Sequence, residues 1–215
     1  PVRFFTGGVG DPSMAVDAAG TYAYIAFTSY SGDDPSRQGI QLARIAVADL
    51  DRPLRADGTS KALRWYRGRW AGPGLQGVAP ARLGQRWPAA PVGQATPILP
   101  PARSWQRADG GGFWGPSLSW NAHVGAFVLL LNKVSGARAF DAEGNYLTFV
   151  PDMRNPTPVP AAPLRLNDLP NGPRPGWYAQ LLGDPRERGT SARTGQDARL
   201  FVGERSGAVL HFGGR

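Results

Sequence analysis

Chain-breaking residues limit what this sequence can build. Its 29 glycines and 21 prolines, 50 of 215 residues, are scattered along the whole length. Proline removes a backbone donor and glycine weakens a helix interior, so long helices are not expected. The segments between the breaks have strand length and strand chemistry. Met14 to Val16, Tyr22 to Phe27 and Ile40 to Val47 are rich in β-branched and aromatic residues or alternate apolar with polar, which reads as a meander of about 35 residues. A second set runs from Phe113 to Trp120, through a turn at Asn121-Ala-His-Val-Gly, into Ala126 to Leu131, and then through Ala137 to Phe140 and Tyr146 to Val150. Trp177 to Leu182, Ala198 to Val202 and Ala208 to Phe212 complete a third. Three such units without a helix predict an all-β domain made of repeated antiparallel sheets, as in a β-propeller.

The connections are less regular. The stretch from about 49 to 103 is rich in Pro, Gly and Arg and reads as one long loop, with Leu63-Arg-Trp-Tyr as an outer strand inside it. A loop of that length in a compact domain is either functional or packed down by its tryptophans. Pro151 to Pro175 reads as extended linker,. The whole chain, residues 1–215, has the length of one domain,.

Composition excludes several functional classes. No apolar run, Phe127 to Leu131 included, approaches the ~20 residues of a membrane-spanning helix,. There is no cysteine, hence no disulfide framework and no thiolate metal site,. The net charge of +8 would draw polyanions if it were concentrated,. The densest basic stretch, Arg64, Arg67 and Arg69, alternates with Trp65, Tyr66 and Trp70 in the manner of a nucleic-acid stacking platform,. Acidic residues nevertheless recur throughout and 22 of the 24 cations are arginine, so nucleic acid is not the expected partner and anionic polysaccharide stays open. His123 and His211 are isolated, and Asp33 with Asp34 falls short of the oxygens calcium takes, so no metal is expected,. Gly7-Gly-Val-Gly is followed by a strand instead of a helix, so no phosphate cradle and no nucleotide cofactor follow,. No nucleophile elbow is present.

The residues that carry chemistry group around two short blocks. Trp114 and Trp120 bracket Gly-Pro-Ser-Leu-Ser, with Ser117 and Asn121 offering hydroxyl and amide groups, and Trp177, Tyr178 and Gln180 repeat the pattern. Aromatic faces beside hydroxyls and amides suit a sugar, whose C–H face stacks while its hydroxyls are paired. Packing in the core explains the same tryptophans equally well. Arg44 and Arg199 each follow an alanine in a strand, where a guanidinium holds an inward carboxylate or a sugar hydroxyl, or forms a surface salt bridge. Asp11, in Gly-Asp-Pro-Ser, is either a functional carboxylate or an Asx-turn that bonds nearby amides,.

The order and spacing of Gly7-Gly-Val-Gly-Asp-Pro-Ser, Gln38-Gly-Ile-Gln-Leu-Ala-Arg, Phe113-Trp-Gly-Pro-Ser-Leu-Ser-Trp-Asn, Val128-Leu-Leu-Leu-Asn, Trp177-Tyr-Ala-Gln and Ala198-Arg-Leu-Phe-Val-Gly resemble the bacterial glycoside-hydrolase-like five-bladed β-propellers, a group distantly similar to arabinanase and xylosidase propellers. The resemblance spans Phe5 to Phe212. It implies that about three blades are present, that the chain is the C-terminal part of a longer protein, and that the partner is a polysaccharide or oligosaccharide met outside the cell or in the periplasm. It also implies three carboxylates at one end of the propeller, with Asp11 matching the one that orients or tunes the acid and the base. Glycoside hydrolysis needs that acid and base pair, yet Glu143, Glu187 and Glu204 all lie in Gly-flanked turns or charged loops. Either the pair lies upstream of Pro1, and this chain supplies one side of a hydrolase cleft, or the propeller binds carbohydrate without cleaving it or serves as an interaction scaffold. An isolated part-propeller exposes open sheet edges; poor solubility or dimerisation is expected on size-exclusion chromatography, and a well-behaved monomer would argue against a truncated propeller.

Overall fold

The strand segments pair into three sheets in the computed structural model, which describes residues 9–30, 33–53, 55–56, 60–71, 95–107, 109–134, 142–203 and 205–213. The first sheet is an antiparallel meander in sequence order: β1 (Val9–Val16), β2 (Tyr22–Ser29), β3 (Gly39–Ala46), β4 (Leu63–Tyr66) and β5 (Arg69–Ala71). The second has β6 (Gly112–Asn121), β7 (Ala126–Val134), β8 (Gly144–Val150) and β9 (Val159–Arg165), again antiparallel and in order. The third begins with β10 (Gln180–Gly183); β11 (Arg193–Thr194) then leaves it to pair in parallel with the edge of β6, while β12 (Asp197–Val202) and β13 (Arg205–His211) continue it. Apart from four single-turn 3-10 segments, no helix occurs among the described residues, and none is long and apolar enough to cross a membrane.

The second sheet lies between the other two. Phe127, Leu129 and Leu131 of β7 pack in one buried cluster with Tyr24, Ile40 and Leu42 of the first sheet. Val128 and Leu130, pointing the other way, pack with Leu181, Leu200 and Val202 of the third. Alternate side chains of a strand point to opposite faces, so a strand covered on both sides has no polar face to present. That is why β7 reads as an unbroken apolar run.

Three connections differ from the sequence reading. The stretch 49–103 holds, besides the expected outer strand Leu63–Tyr66 (β4), a partner strand β5 that makes it a hairpin, turned by Arg67 and Gly68 at φ 47° and 78°, the left-handed pair of a tight hairpin turn,. Trp65 and Trp70 meet edge to face across it at 5.5 Å, and the Trp70 indole donates to the Met153 carbonyl at 2.8 Å. Residues 72–94 of that stretch lie outside the described residues. The supposed linker contains β9, an edge strand where Pro160 and Pro163 cost the sheet no essential donor,. β11 is two residues long and pairs with a strand more than 70 positions earlier, so no local pattern announces it. The strand expected over 137–140 lies outside the described residues.

Leu129 is fully buried. Leu129→Ala is expected to cost about 2–5 kcal/mol through lost burial plus a residual cavity, seen as a lower urea midpoint at unchanged slope. A loss below about 0.5 kcal/mol would show that this face of β7 is not packed.

Candidate functional site

One backbone device occurs three times. Asp11, Gly115 and Tyr178 adopt left-handed φ angles of 54°, 54° and 53°; Asp11 is the third residue of β1, Gly115 the fourth of β6, and Tyr178 lies two residues before β10, each of these strands being the first of its sheet in the chain. In β1 and β6 the pairing register slips at this point, between Gly10 and Ser13 and between Trp114 and Ser117, forming bulges that re-aim side chains. Two residues past each left-handed position stand Ser13, Ser117 and Gln180. The three entries converge on a cleft of about 150 Å³, lined by Asp11, Ser13, Pro116, Ser117, Tyr178 and Gln180 among others.

The first and second sheets are tied together beneath it. The Gly115 amide donates to Thr28 Oγ1 at 3.0 Å, and the Leu118 amide to Ser13 Oγ at 2.9 Å. Behind the cleft, buried Asn132 spans the second and third entries: its Nδ2 donates to the Gly115 carbonyl at 3.0 Å and its Oδ1 accepts from the Ala179 amide at 3.5 Å. Asn145 Nδ2 donates to Asn132 Oδ1 at 3.1 Å and to the Gly176 carbonyl at 2.7 Å, and its Oδ1 accepts from the Gly176 amide. The turn bearing Trp177 and Tyr178 is thereby clamped on both sides. A Cβ at position 115 would sit 2.5 Å from Asn132 Nδ2, so glycine is required there for space as well as for φ,.

Asp11 is the only carboxylate lining the cleft among the described residues. Tyr30 donates to its Oδ2 at 2.9 Å and Tyr178 to its Oδ1 at 3.2 Å. Burial, then the Asp11 charge and hydrogen bond, push both phenols above their ordinary range, Tyr30 by far the more,. The Trp114 indole is 3% exposed and meets Trp177 and Tyr178 edge to face, with centroids 5.6 and 5.4 Å away. It backs those rings and leaves the outer surface to Trp177, 45% exposed, and Tyr178, 52% exposed.

Asp11, Ser117, Tyr178 and Gln180, read from the sequence, therefore line one cleft, and Trp114 and Trp177 adjoin it. The other expected residues lie elsewhere. Trp120 is five positions past Gly115, about 17 Å along an extended strand, and packs edge to face on Phe127 at 5.1 Å. Buried Asn121 accepts from the His123 and Val124 amides and donates to the Gly195 carbonyl at 2.7 Å, closing the β6–β7 turn. The Arg44 guanidinium lies over the Tyr22 and Trp70 rings, 4.4 and 4.9 Å from their centroids. Arg199 is exposed, donates to Ser206 Oγ at 3.1 Å and lines a separate groove on the third sheet with Leu182, Asp184 and Val209. Glu143 is no proton donor: burial alone would raise its carboxyl, but Lys133 at 2.8 Å and Tyr146 override that and hold it below its usual value. Glu204 lies outside the described residues.

Sequence reasoning missed Tyr30 and Asn132. Nothing local marks Tyr30, whose contact with Asp11 spans 19 positions. Asn132 had a signal, a polar residue closing the apolar run of β7. No family model, curated protein or solved structure matches the chain.

The phenols supply a test. Folded Tyr30 and Tyr178 keep their protons beyond pH ~10, where unfolded tyrosines release them. The unfolded state thus binds fewer protons, and stability falls as pH rises past about 10. Asp11→Asn removes the negative neighbour and is expected to bring the Tyr178 titration to lower pH and flatten that fall, measured by ultraviolet difference titration and alkaline denaturation. An unchanged titration would show that Asp11 does not act on the phenols.

Proposed function

We propose that the three sheets are successive blades of a β-propeller and that the cleft at their entry is a carbohydrate-recognition site. Support for the blades comes from the antiparallel sheets formed in chain order, the meeting of β1, β6 and β10, and a left-handed residue two positions before Ser13, Ser117 and Gln180. The observation that carries the functional reading is the Asp11 carboxylate held against the half-exposed Tyr178 ring, with the half-exposed Trp177 ring next to it in the chain. A saccharide stacks its C–H face on such rings and donates hydroxyls to the carboxylate, while Ser117 and Gln180, which also line the cleft, take the remaining hydroxyls,.

Recognition is favoured over hydrolysis by this chain alone. Cleaving a glycosidic bond takes two carboxyl groups, about 5–5.5 Å apart with retention or 6.5–9.5 Å with inversion, and the described lining offers one. In a hydrolase of the kind the sequence resembles, Asp11 would be the orienting carboxylate and the acid and base would come from further blades.

Calorimetry against a panel of plant and bacterial oligosaccharides is expected to show binding that Trp177→Ala weakens about tenfold, the scale of one stacked ring. Absence of heat with every glycan, or indifference to Trp177→Ala, would leave a protein-interaction scaffold. Release of reducing ends by the chain alone would overturn the restriction to recognition.

A further inference from the structure

We propose that the cleft selects a saccharide carrying an ammonium group, a 2-amino-2-deoxy sugar, over neutral and acidic ones; this rests on the carbohydrate reading above. Asp11 stands apart from many other carboxylates of this chain. Several are matched to a cation: Asp49 with Lys61, Glu143 with Lys133, Asp152 with Arg154 and Asp184 with Arg186. With 24 Lys and Arg against 16 Asp and Glu, counter-cations are plentiful. Asp11 has none within ion-pair distance among the described residues, although it is half-buried in a cleft. Its two partners, Tyr30 and Tyr178, are neutral phenols that orient the carboxylate without cancelling its charge.

A carboxylate has about four acceptor positions, and the phenols use one on each oxygen. The rest are open to a ligand. No Lys or Arg is among the described residues lining the cleft, so the local charge is negative within a chain of net charge +8. An ammonium group at Asp11 would form a charge-assisted hydrogen bond, stronger than the one a hydroxyl makes. A uronate or sulfated sugar meets repulsion in the same place, and overall basicity does not rescue it because salt screens distant charges within about 10 Å.

The test is calorimetry of the full chain with short oligomers of glucosamine, N-acetylglucosamine and galacturonic acid of equal length, below the pKa of the amine. The glucosamine oligomer is expected to bind about tenfold tighter than its acetylated counterpart, with no heat from the uronate. Added salt should shrink that preference, and Asp11→Asn should abolish it. Equal affinity for the amine and acetylated forms, binding of the uronate, or a preference that survives Asp11→Asn overturns charge selection and leaves carbohydrate recognition standing. Silence from all three oligomers and from the wider glycan panel overturns both.

Discussion

The double-sided burial of β7 is the constraint on which the rest depends. Five consecutive apolar residues, Phe127 to Leu131, send side chains alternately into the first and third sheets. Each such burial is worth about 1.5–3 kcal/mol, so a register slip of one residue would exchange the contents of two cores at once. The strand therefore fixes the order of the layers and the height at which they meet. That height is where the cleft forms, because the first strands of the outer sheets are packed against the sheet to which β7 belongs.

Continuing the same strand by one residue changes the chemistry. Asn132 is as buried as the leucines before it, and a buried amide left without partners costs about 1–3 kcal/mol. Its partners are the Gly115 carbonyl, the Ala179 amide and Asn145, all of them part of the cleft walls or the support behind them. The requirement to satisfy one buried amide thus couples the central strand to the left-handed residues that shape the site. Those residues differ from sheet to sheet. Glycine is needed at position 115 because Asn132 leaves no room for a Cβ, whereas Asp11 and Tyr178 occupy the equivalent left-handed positions with side chains that hydrogen-bond each other. One backbone conformation with three residue types thus puts different chemistry at the entry to each sheet.

Much of this was legible in the chain itself. Aromatic and β-branched residues marked β2, alternation marked β3, the unbroken run marked β7, and the blocks Gly-Asp-Pro-Ser and Trp-Gly-Pro-Ser marked walls of the cleft. What stayed hidden was non-local. The strand β9 contains prolines that an edge tolerates and an interior strand does not, so its composition read as linker. Trp120 and Asn121 looked like neighbours of Trp114, but neighbours on a helix and neighbours on a strand are different things: at ~3.3 Å per residue they belong to the opposite end of β6. Arg44 and Arg199 share a local motif and no spatial relation to the cleft, since pairing with Tyr24 and Leu63 fixes one and pairing with Leu182 and Val209 fixes the other.

The two tryptophans beside the left-handed residues make the same point energetically. Trp114 and Trp177 each precede the left-handed position of their strand and each was a plausible stacking surface. The layer decides between them. Trp114 belongs to the central sheet, where Tyr30 and Trp105 cover it from one side and the Trp177–Tyr178 turn from the other. Trp177 precedes the first strand of an outer sheet and keeps nearly half its surface in contact with solvent. An indole wedged in this way spends its apolar area on holding the sheets together, and the area left for a ligand is what the outer layer exposes. A repeated motif therefore names candidate positions, and the stacking order of the sheets determines which of them remain available for binding.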